Sequence, residues 1–517
     1  MRVIRIAARQ SDLARLQAYL VGEKLERAWP DVKVEYAFRA SLGDLNQNDP
    51  LWKMPEKGVF TEDFLRDLRE GTADMVVHSW KDLPIEERQD TEIAATLPRA
   101  DVRDLLLFRD DRLEGARVSG KVKILTSSPR RAYNLDPFLR AHLPFPVNEL
   151  VFEPVRGNIP TRLKKLLAQE VDGLIVAKAA LDRLLEADKP EFREVQQVIR
   201  ETLARTRFMV LPLSANPTAA AQGALAVEIR RDREDLRERL KAIHCEDTYR
   251  RVARERRILA DFGGGCHQKI GVSVLKREYG EICFLRGLTD HGEALNRIEL
   301  SAPRAQPRAE SADAIFPKSS EEESSFYERE ELPREEWAWI EKEKYLWVAR
   351  ENAWPRDLNA ESDAVVWTAG LRTWAKLAER GIWVNGSSES LGAEEEPTGI
   401  ETLVGVKSIP WVKLSHADAD HYHGESHRFR SGITYRLRPR ESMRIQLRGR
   451  THFYWTSASA FARALELEPG IRTGHHACGP GATARYIRKV LGPQASLAIY
   501  LNADDWRKAV LPSEKQS

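Results

Sequence analysis

Short apolar runs rich in β-branched residues alternate, along the first part of the chain, with stretches whose apolar residues recur every three or four positions. VIRIAA (3–8) leads into Leu13, Leu16 and Leu20 at helical spacing, and ADMVV (73–77) leads into a helix start. KVKIL (121–125), LVFEPV (150–155) and DGLIVA (172–177) are further strand-like runs. Strand followed by helix, repeated, predicts an α/β fold. After residue 230 the pattern changes to two helical stretches (234–245 and 248–262), a glycine-rich loop, and 270–288, which alternates apolar and polar residues on both sides of Glu278-Tyr279-Gly280-Glu281 as a β-hairpin does. A small α+β domain therefore closes this module.

A seam follows. SAPRAQPRAESADAIFPKSSEEESS (301–325) has neither helical nor strand periodicity and reads as a solvated linker. Beyond it lie ten of the 13 tryptophans, and seven of the 12 histidines from His416 onward, so a second module of different composition begins there. At 517 residues the chain has room for three or four domains, and no fixed-period repeat runs through either module.

Composition narrows the classes. With 42% hydrophobic and 31% charged residues, disordered, collagen-like and membrane-embedded chains are poor fits. The formal charge of +2 provides no global field to recruit nucleic acid or anionic lipid, so any electropositive site must be local. Cys245, Cys266, Cys283 and Cys478 are too few for a disulfide framework, and no signal-like apolar segment opens the sequence; a reducing, cytoplasmic setting is expected.

Chemistry concentrates where strands run into helices. Ligands of open α/β sheets bind beyond the carboxyl ends of the strands, where helix N-termini offer free N–H groups. Arg9 follows the first strand, with Ser11 as a natural N-cap. KVKIL runs into Ser128-Pro129-Arg130-Arg131, a cap, a first-turn proline and two cations. Arg156 and Arg162 flank a third junction, and Lys81 and Asp82 occupy a fourth. Arginine grips carboxylates bidentately, so several such junctions facing one cleft describe a site for a ligand with many carboxylates. Phosphate is the rival anion, but no P-loop or dinucleotide fingerprint follows any strand, and Asp82 would repel it. Asp82 itself reads either as an ion-pair partner of Lys81 or an arginine, or as an acceptor for N–H donors or a transient cation on the ligand. Three glycines precede Cys266, leaving its thiol uncrowded for covalent attachment, although a small buried cysteine fits the same pattern. His267 adjoins Cys266, but sequence neighbours seldom point at one another, which disfavours a thiol hydrolase.

AARQS, GDLNQNDPL, KGVFTEDF, HSWKDLP, TSSPRRA, RGNIPTRL, AQGALAVE and RERRILADFGGGCHQKIG, in this order, make residues 1 to about 303 resemble the hydroxymethylbilane synthase (porphobilinogen deaminase) family. The resemblance implies three domains: two α/β domains like those of periplasmic binding proteins, at 1–102 with 204–228 and at 103–203, and an α+β cofactor-attachment domain at 229–303. It implies that Cys266 holds a dipyrromethane cofactor through a thioether, and that four porphobilinogen units add to it with loss of ammonia before hydroxymethylbilane is released. Asp82 matches the catalytic aspartate, which hydrogen-bonds pyrrole N–H groups and stabilises the azafulvene cation. Arg9, Ser11, Lys57, Lys81, Ser128, Arg130, Arg131, Arg156 and Arg162 match cofactor- and substrate-binding positions. Departures are Ala8, Leu42, Pro55-Glu56, Lys269 and Ala221; none removes a group with a chemical role, and Ala221 affects only local hinge geometry.

From 338 to 517, after a linker at 304–337, FYWTSASAFARALE followed by HHACGPGATARYIRKVLG, with the half-motif VVWTAGLRTWAKLAERGIWVNG, resembles uroporphyrinogen-III synthase, a two-lobed α/β enzyme that closes the linear bilane. Thr456, Ser457, Ser459 and Thr483 are the expected cleft positions. His416, Asp418, Asp420, His421, His423 and His427 match no zinc spacing and read as a polar loop, so no metal site is expected; Trp367 and Trp374 read as core. The expectation is a monomeric tetrapyrrole-biosynthesis enzyme with porphobilinogen and linear tetrapyrroles as its partners and no nucleic acid or membrane. The alternative is a polycarboxylate-binding protein with an inactive C-terminal module.

Overall fold

The computed structural model describes residues 2–40, 62–263, 268–301, 305–318, 326–392, 399–419, 421, 428–440, 447–492 and 495–511. The chain divides into two compact units: one holds residues 1–275, 283–299 and 402–405, and the other the remainder.

In the first unit, strands β1 (Arg2–Arg9), β2 (Val32–Arg39), β3 (Met75–Ser79), β4 (Thr91–Ala95) and β10 (Leu225–Arg230) form a sheet of order β2-β1-β3-β10-β4. Strands β5 (Asp104–Arg109), β6 (Lys121–Leu125), β7 (Glu149–Glu153), β8 (Gly173–Ala177) and β9 (Thr206–Val210) form a second, of order β7-β6-β8-β5-β9. The two are built alike. In the first, β1 runs parallel to β2 and β3 while β10 lies antiparallel to β3 and β4; in the second, β6 runs parallel to β7 and β8 while β5 lies antiparallel to β8 and β9. The chain leaves the first sheet after β4 and returns to it as β10, so the segments 96–103 and 211–224 both cross between the sheets. Every residue of β5 is buried, which is why Leu105–Phe108 form a continuous apolar run and not an alternating one.

The boundary expected at residue 229 lies inside β10. β10 continues to Arg230, and Leu236, Leu240 and Ile243 join the core that also contains Ile4, Val77 and Val227. The amphipathic helix Glu234–Leu240 finds the nearest uncovered face of the first sheet, a choice its periodicity cannot reveal. Helix Glu246–Ala260 follows, then the sheet of β11 (Gly271–Arg277), β12 (Gly280–Leu288) and β13 (Ala294–Leu300), the first two of which are the expected hairpin.

The second unit contains two sheets. β14 (Ile315–Phe316), β21 (His452–Trp455), β22 (His475–Cys478) and β23 (Leu497–Ile499) form one, in that order and parallel throughout. β15 (Tyr327–Glu331), β16 (Tyr345–Val348), β17 (Val365–Thr368), β18 (Gly386–Ser387), β19 (Trp411–His416) and β20 (Phe429–Pro439) form the other, of order β15-β20-β19-β16-β17-β18. The segment 304–337, expected as a linker, thus supplies a strand to each sheet. Its polarity misleads for a physical reason: β15 is an antiparallel edge whose Glu328 and Glu330 meet Arg440 and Arg438 across the ladder at 3.5 and 2.5 Å. β14 is only two residues long, yet Phe316 is fully buried against Phe453 and Trp455. Trp367 and Trp374 are core, as their setting in the sequence suggests.

Candidate active site

β3 ends at Ser79 and the chain tightens into a 3-10 turn, Trp80–Asp82. Trp80 anchors the turn: its indole is buried with Leu83, Ala221, Ala224 and Val252, and its backbone N–H donates to Ala224 O at 3.1 Å. With Trp80 directed inward, Lys81 is left half-buried and Asp82 exposed. The other junctions also open helices. Ser128 caps helix Pro129–His142 and accepts from Arg131 N at 3.4 Å. Asn158, which the sequence reading passed over, caps helix Ile159–Ala168 and accepts from Thr161 N at 3.1 Å. Ser11 occupies the N-cap position of helix Asp12–Ala28, but its side chain makes no capping hydrogen bond.

These junctions converge electrostatically on Arg162, whose Nε donates to Gly157 O at 2.7 Å. Burial lowers its pKa to about 10; Arg131, Arg156 and Arg9 push the same way, and only Asp82 among its principal charged neighbours opposes them. Residues from all four sequence junctions therefore act on Arg162. Lys81 shares the environment: burial lowers its pKa to about 8, Arg131 and Arg130 add to the effect, and Asp82 and Asp104 oppose it. A concentration of cations around one exposed carboxylate suits a ligand that carries several carboxylates and one developing positive charge.

Arg130 and Arg131 are only partly available to such a ligand. Both are buried and grip Asp104, a fully buried residue at the head of β5. Arg131 donates Nε and Nη2 to Asp104 at 3.0 and 2.6 Å and Nη1 to Ile175 O at 3.2 Å. Arg130 donates Nη2 to Asp104 at 2.9 Å and Nη1 to Asn216 Oδ1 and Pro217 O at 2.8 and 2.6 Å. Against the cost of burial, these guanidinium groups hold the Asp104 carboxyl far below the usual carboxylate range. Their sequence setting suggests both arginines for ligand carboxylates, yet part of each is committed to Asp104. Asp104, Asn216 and Gln222 are not apparent from the sequence alone. The available signals were a charge opening the apolar run DLLLF and the glutamine inside AQGALAVE.

Lys57, Cys266 and His267 lie outside the described residues. The flanks of Cys266 are described: Gly263 has φ +90°, and the buried Gln268 side chain donates back to Phe262 O, tying the two ends of the loop together. The other cysteines differ in character. Burial pushes the thiols of Cys283 and Cys478 up to about 11 and about 12, and Cys245 accepts from Thr248 Oγ1 at 3.3 Å.

In the second unit Ser457 caps helix Ala458–Leu467 and accepts from Ala460 N at 3.2 Å, while the buried Ser459 donates to Ser457 Oγ at 3.3 Å. Thr456 is exposed and Thr483 half-buried. His416 is buried at the end of β19 and so is not part of an open polar loop; Asp418 and His421 are exposed, and Asp420, His423 and His427 lie outside the described residues. Among the described residues no group of three or more His, Cys, Asp or Glu could hold a metal ion, and no helix is long and apolar enough to cross a membrane.

Comparison with known proteins identifies the family. Residues 4–238 match the family model described as porphobilinogen deaminase, dipyromethane cofactor binding domain. The probable porphobilinogen deaminase of Methanopyrus kandleri is 34% identical over 301 residues, 57% of this chain and 90% of its own length. The porphobilinogen deaminase of Synechococcus elongatus is 35% identical over 314 residues, 60% of this chain and 89% of its own. That of Nostoc is 37% identical over 277 residues, 53% of this chain and 77% of its own. Among solved structures, the methionine binding protein MetQ covers 49% of this chain and 94% of its own at 10% identity and a TM-score of 0.29, too slight a likeness to bear on the fold. With nine-tenths of a relative's length matched at 34% identity, the chain belongs to the porphobilinogen deaminase family, and its cofactor is dipyrromethane.

Proposed function

We propose that the first unit condenses four porphobilinogen units onto a dipyrromethane held by Cys266 and releases hydroxymethylbilane, one ammonia leaving at each addition. The observation that carries this reading is the convergence of Arg9, Arg131, Arg156 and Asp82 on the field of Arg162. Arg9, Lys81, Arg156 and Arg162, with what Arg131 has left, bind acetate and propionate carboxylates, and the helix starts after Ser11 and Ser128 position backbone N–H groups beside them. Asp82, exposed at the tip of its turn, accepts from a pyrrole N–H and offsets the positive charge left on the ring when the aminomethyl nitrogen departs. The dipyrromethane supplies the nucleophilic pyrrole carbon to which the first unit joins. Cys266 is the fitting attachment point: Cys283 and Cys478 are core thiols with raised pKa, whereas Cys266 follows three glycines.

Denaturing mass spectrometry tests the anchor. Wild-type protein carries the added mass of two pyrrole units and Cys266→Ser does not; equal masses refute the attachment. Asp82→Asn keeps the added mass and loses at least about 100-fold in turnover, the scale of a lost electrostatic stabiliser; unchanged turnover refutes the role of Asp82.

We infer further that the second unit closes the linear product to uroporphyrinogen III. This is supported by its two sheets, each with a strand, a Ser/Thr turn and a helix, as in β17 with Leu371–Glu379 and β21 with Ala458–Leu467. The full chain supplied with porphobilinogen then yields isomer III; isomer I alone refutes this reading.

A further inference from the structure

Lys81 is held from behind. Among the described residues it forms no ion pair, and its one hydrogen bond runs to a neutral oxygen, Gln222 Oε1, at 3.2 Å. Gln222 is 1% exposed, and its amide has no choice of orientation. Its nitrogen donates to Val102 O at 2.7 Å and Asp104 Oδ1 at 2.8 Å, two groups that can only accept, so its oxygen must face Lys81. Asp104 is fixed in turn by Arg130, Arg131 and Asn216, the last donating at 2.9 Å.

The Gln222 backbone is equally constrained. Its carbonyl accepts from Arg99 Nε at 2.9 Å. The preceding Ala221 sits in the left-handed region at φ +67°, with its N–H donating to Glu255 at 2.8 Å. The following Gly223 has φ +84°, and a Cβ there would lie 2.7 Å from Ala100 O.

We propose that Asp104 and Gln222 are positioning residues for Lys81: the buried carboxylate orients the amide, and the amide oxygen holds the ammonium beside Asp82 with its charge uncancelled. The neutrality of the acceptor is the point of the arrangement. A carboxylate at position 222 would fix Lys81 equally well but would neutralise it, whereas an amide leaves its charge and remaining N–H bonds to a ligand carboxylate. The charged groups acting on Lys81 are Asp82, Arg130, Arg131 and Asp104. The inference rests on the reading of Lys81 as a carboxylate-holding residue of the porphobilinogen reaction.

The test is the pH profile of kcat/KM for porphobilinogen, measured on the full-length holoenzyme of wild type, Lys81→Arg, Gln222→Met and Gln222→Glu, with cofactor content checked by mass. The wild-type profile falls on the alkaline side as Lys81 loses its proton, and Lys81→Arg removes that limb. Gln222→Met, which keeps volume but removes the acceptor, raises KM about tenfold with a smaller change in kcat and moves the limb to lower pH. Gln222→Glu lowers kcat/KM and moves the limb up by about one pH unit or more. Profiles of the two Gln222 variants that keep the wild-type limb, scaled or not, overturn the positioning role while leaving Lys81 its own. An alkaline limb that persists in Lys81→Arg removes the role of Lys81, and the proposal with it. Should one Gln222 variant fail to fold, the limb of the other decides.

Discussion

At the scale of single residues, the candidate site depends on carboxylates that never meet a ligand. Glu255, fully buried, accepts both Arg99 Nη atoms at 2.7 and 2.8 Å, Ala221 N at 2.8 Å and Val274 N at 2.7 Å, and so ties helix Glu246–Ala260 to the crossing segments and to β11. Removing one partner of such a pair strands a buried charge. Glu255→Gln is therefore expected to cost about 3–5 kcal/mol in urea unfolding, against less than about 1 kcal/mol for an exposed pair such as Lys241–Glu238. None of this was legible in the sequence. Glu255 lies within RERRILADF among other charges, and nothing local separates it from a solvated face. Arg156 and Arg162 were legible as candidates because they lie at a strand-to-helix junction, and Asp82 because it follows the end of β3.

At the scale of elements, the strand-to-helix junctions are where local chemistry and fold agree. Asn158 caps its helix through both Thr161 N and Thr161 Oγ1, at 3.1 and 2.7 Å. Its neighbour Gly157 has φ +113°, and a Cβ there would lie 2.6 Å from Thr161 Cγ2. Asn158→Ala is expected to destabilise by about 1 kcal/mol, while Gly157→Ala combines left-handed strain with a clash and should cost more; paired urea titrations compare the two. If Arg162 depends on this helix start for its place, both variants raise KM for porphobilinogen. Elements built on weaker local signals went unread. β14 is too short for a period, and the alternating charges of β15 satisfy cross-strand partners in β20 that are distant in sequence.

At the scale of the whole molecule, the two units carry different acid-sensitive groups. His476 is fully buried; Trp455 Nε1 donates to its Nδ1, and its Nε2 bonds Ile471 O, each at 3.0 Å, so the neutral ring is satisfied and burial lowers its pKa to about 4 from 6.5. The unfolded chain then binds a proton that the folded one refuses, so stability is lost as pH falls from about 6.5 to 4, by up to about 3 kcal/mol. Glu228 loses its contribution in the same direction but over a more acidic window. Although burial works against its charge, hydrogen bonds from His78 and Thr91 and the charge of Arg88 hold its pKa at about 2, so its contribution persists until pH drops below about 4.5. Calorimetry at pH 7 and pH 5 should show the second unit's transition moving down while the first unit's changes little, and His476→Gln should remove most of that difference. A common shift of both transitions would contradict the assignment.

The sequence by itself determined the alternation of strand and helix, the cap at Ser128, and the cations placed beyond strand ends, because each depends on residues within one or two turns of one another. Only the tertiary structure decided that Arg130 and Arg131 are partly committed to Asp104, that Gln222 faces Lys81, and that residues 304–337 add strands to two sheets. A buried carboxylate or amide is stable only where donors and acceptors from several segments converge. Asp104 draws its donors from residues 26, 27, 112 and 118 positions away, a convergence created by the chain's two crossings between sheets and by no local pattern.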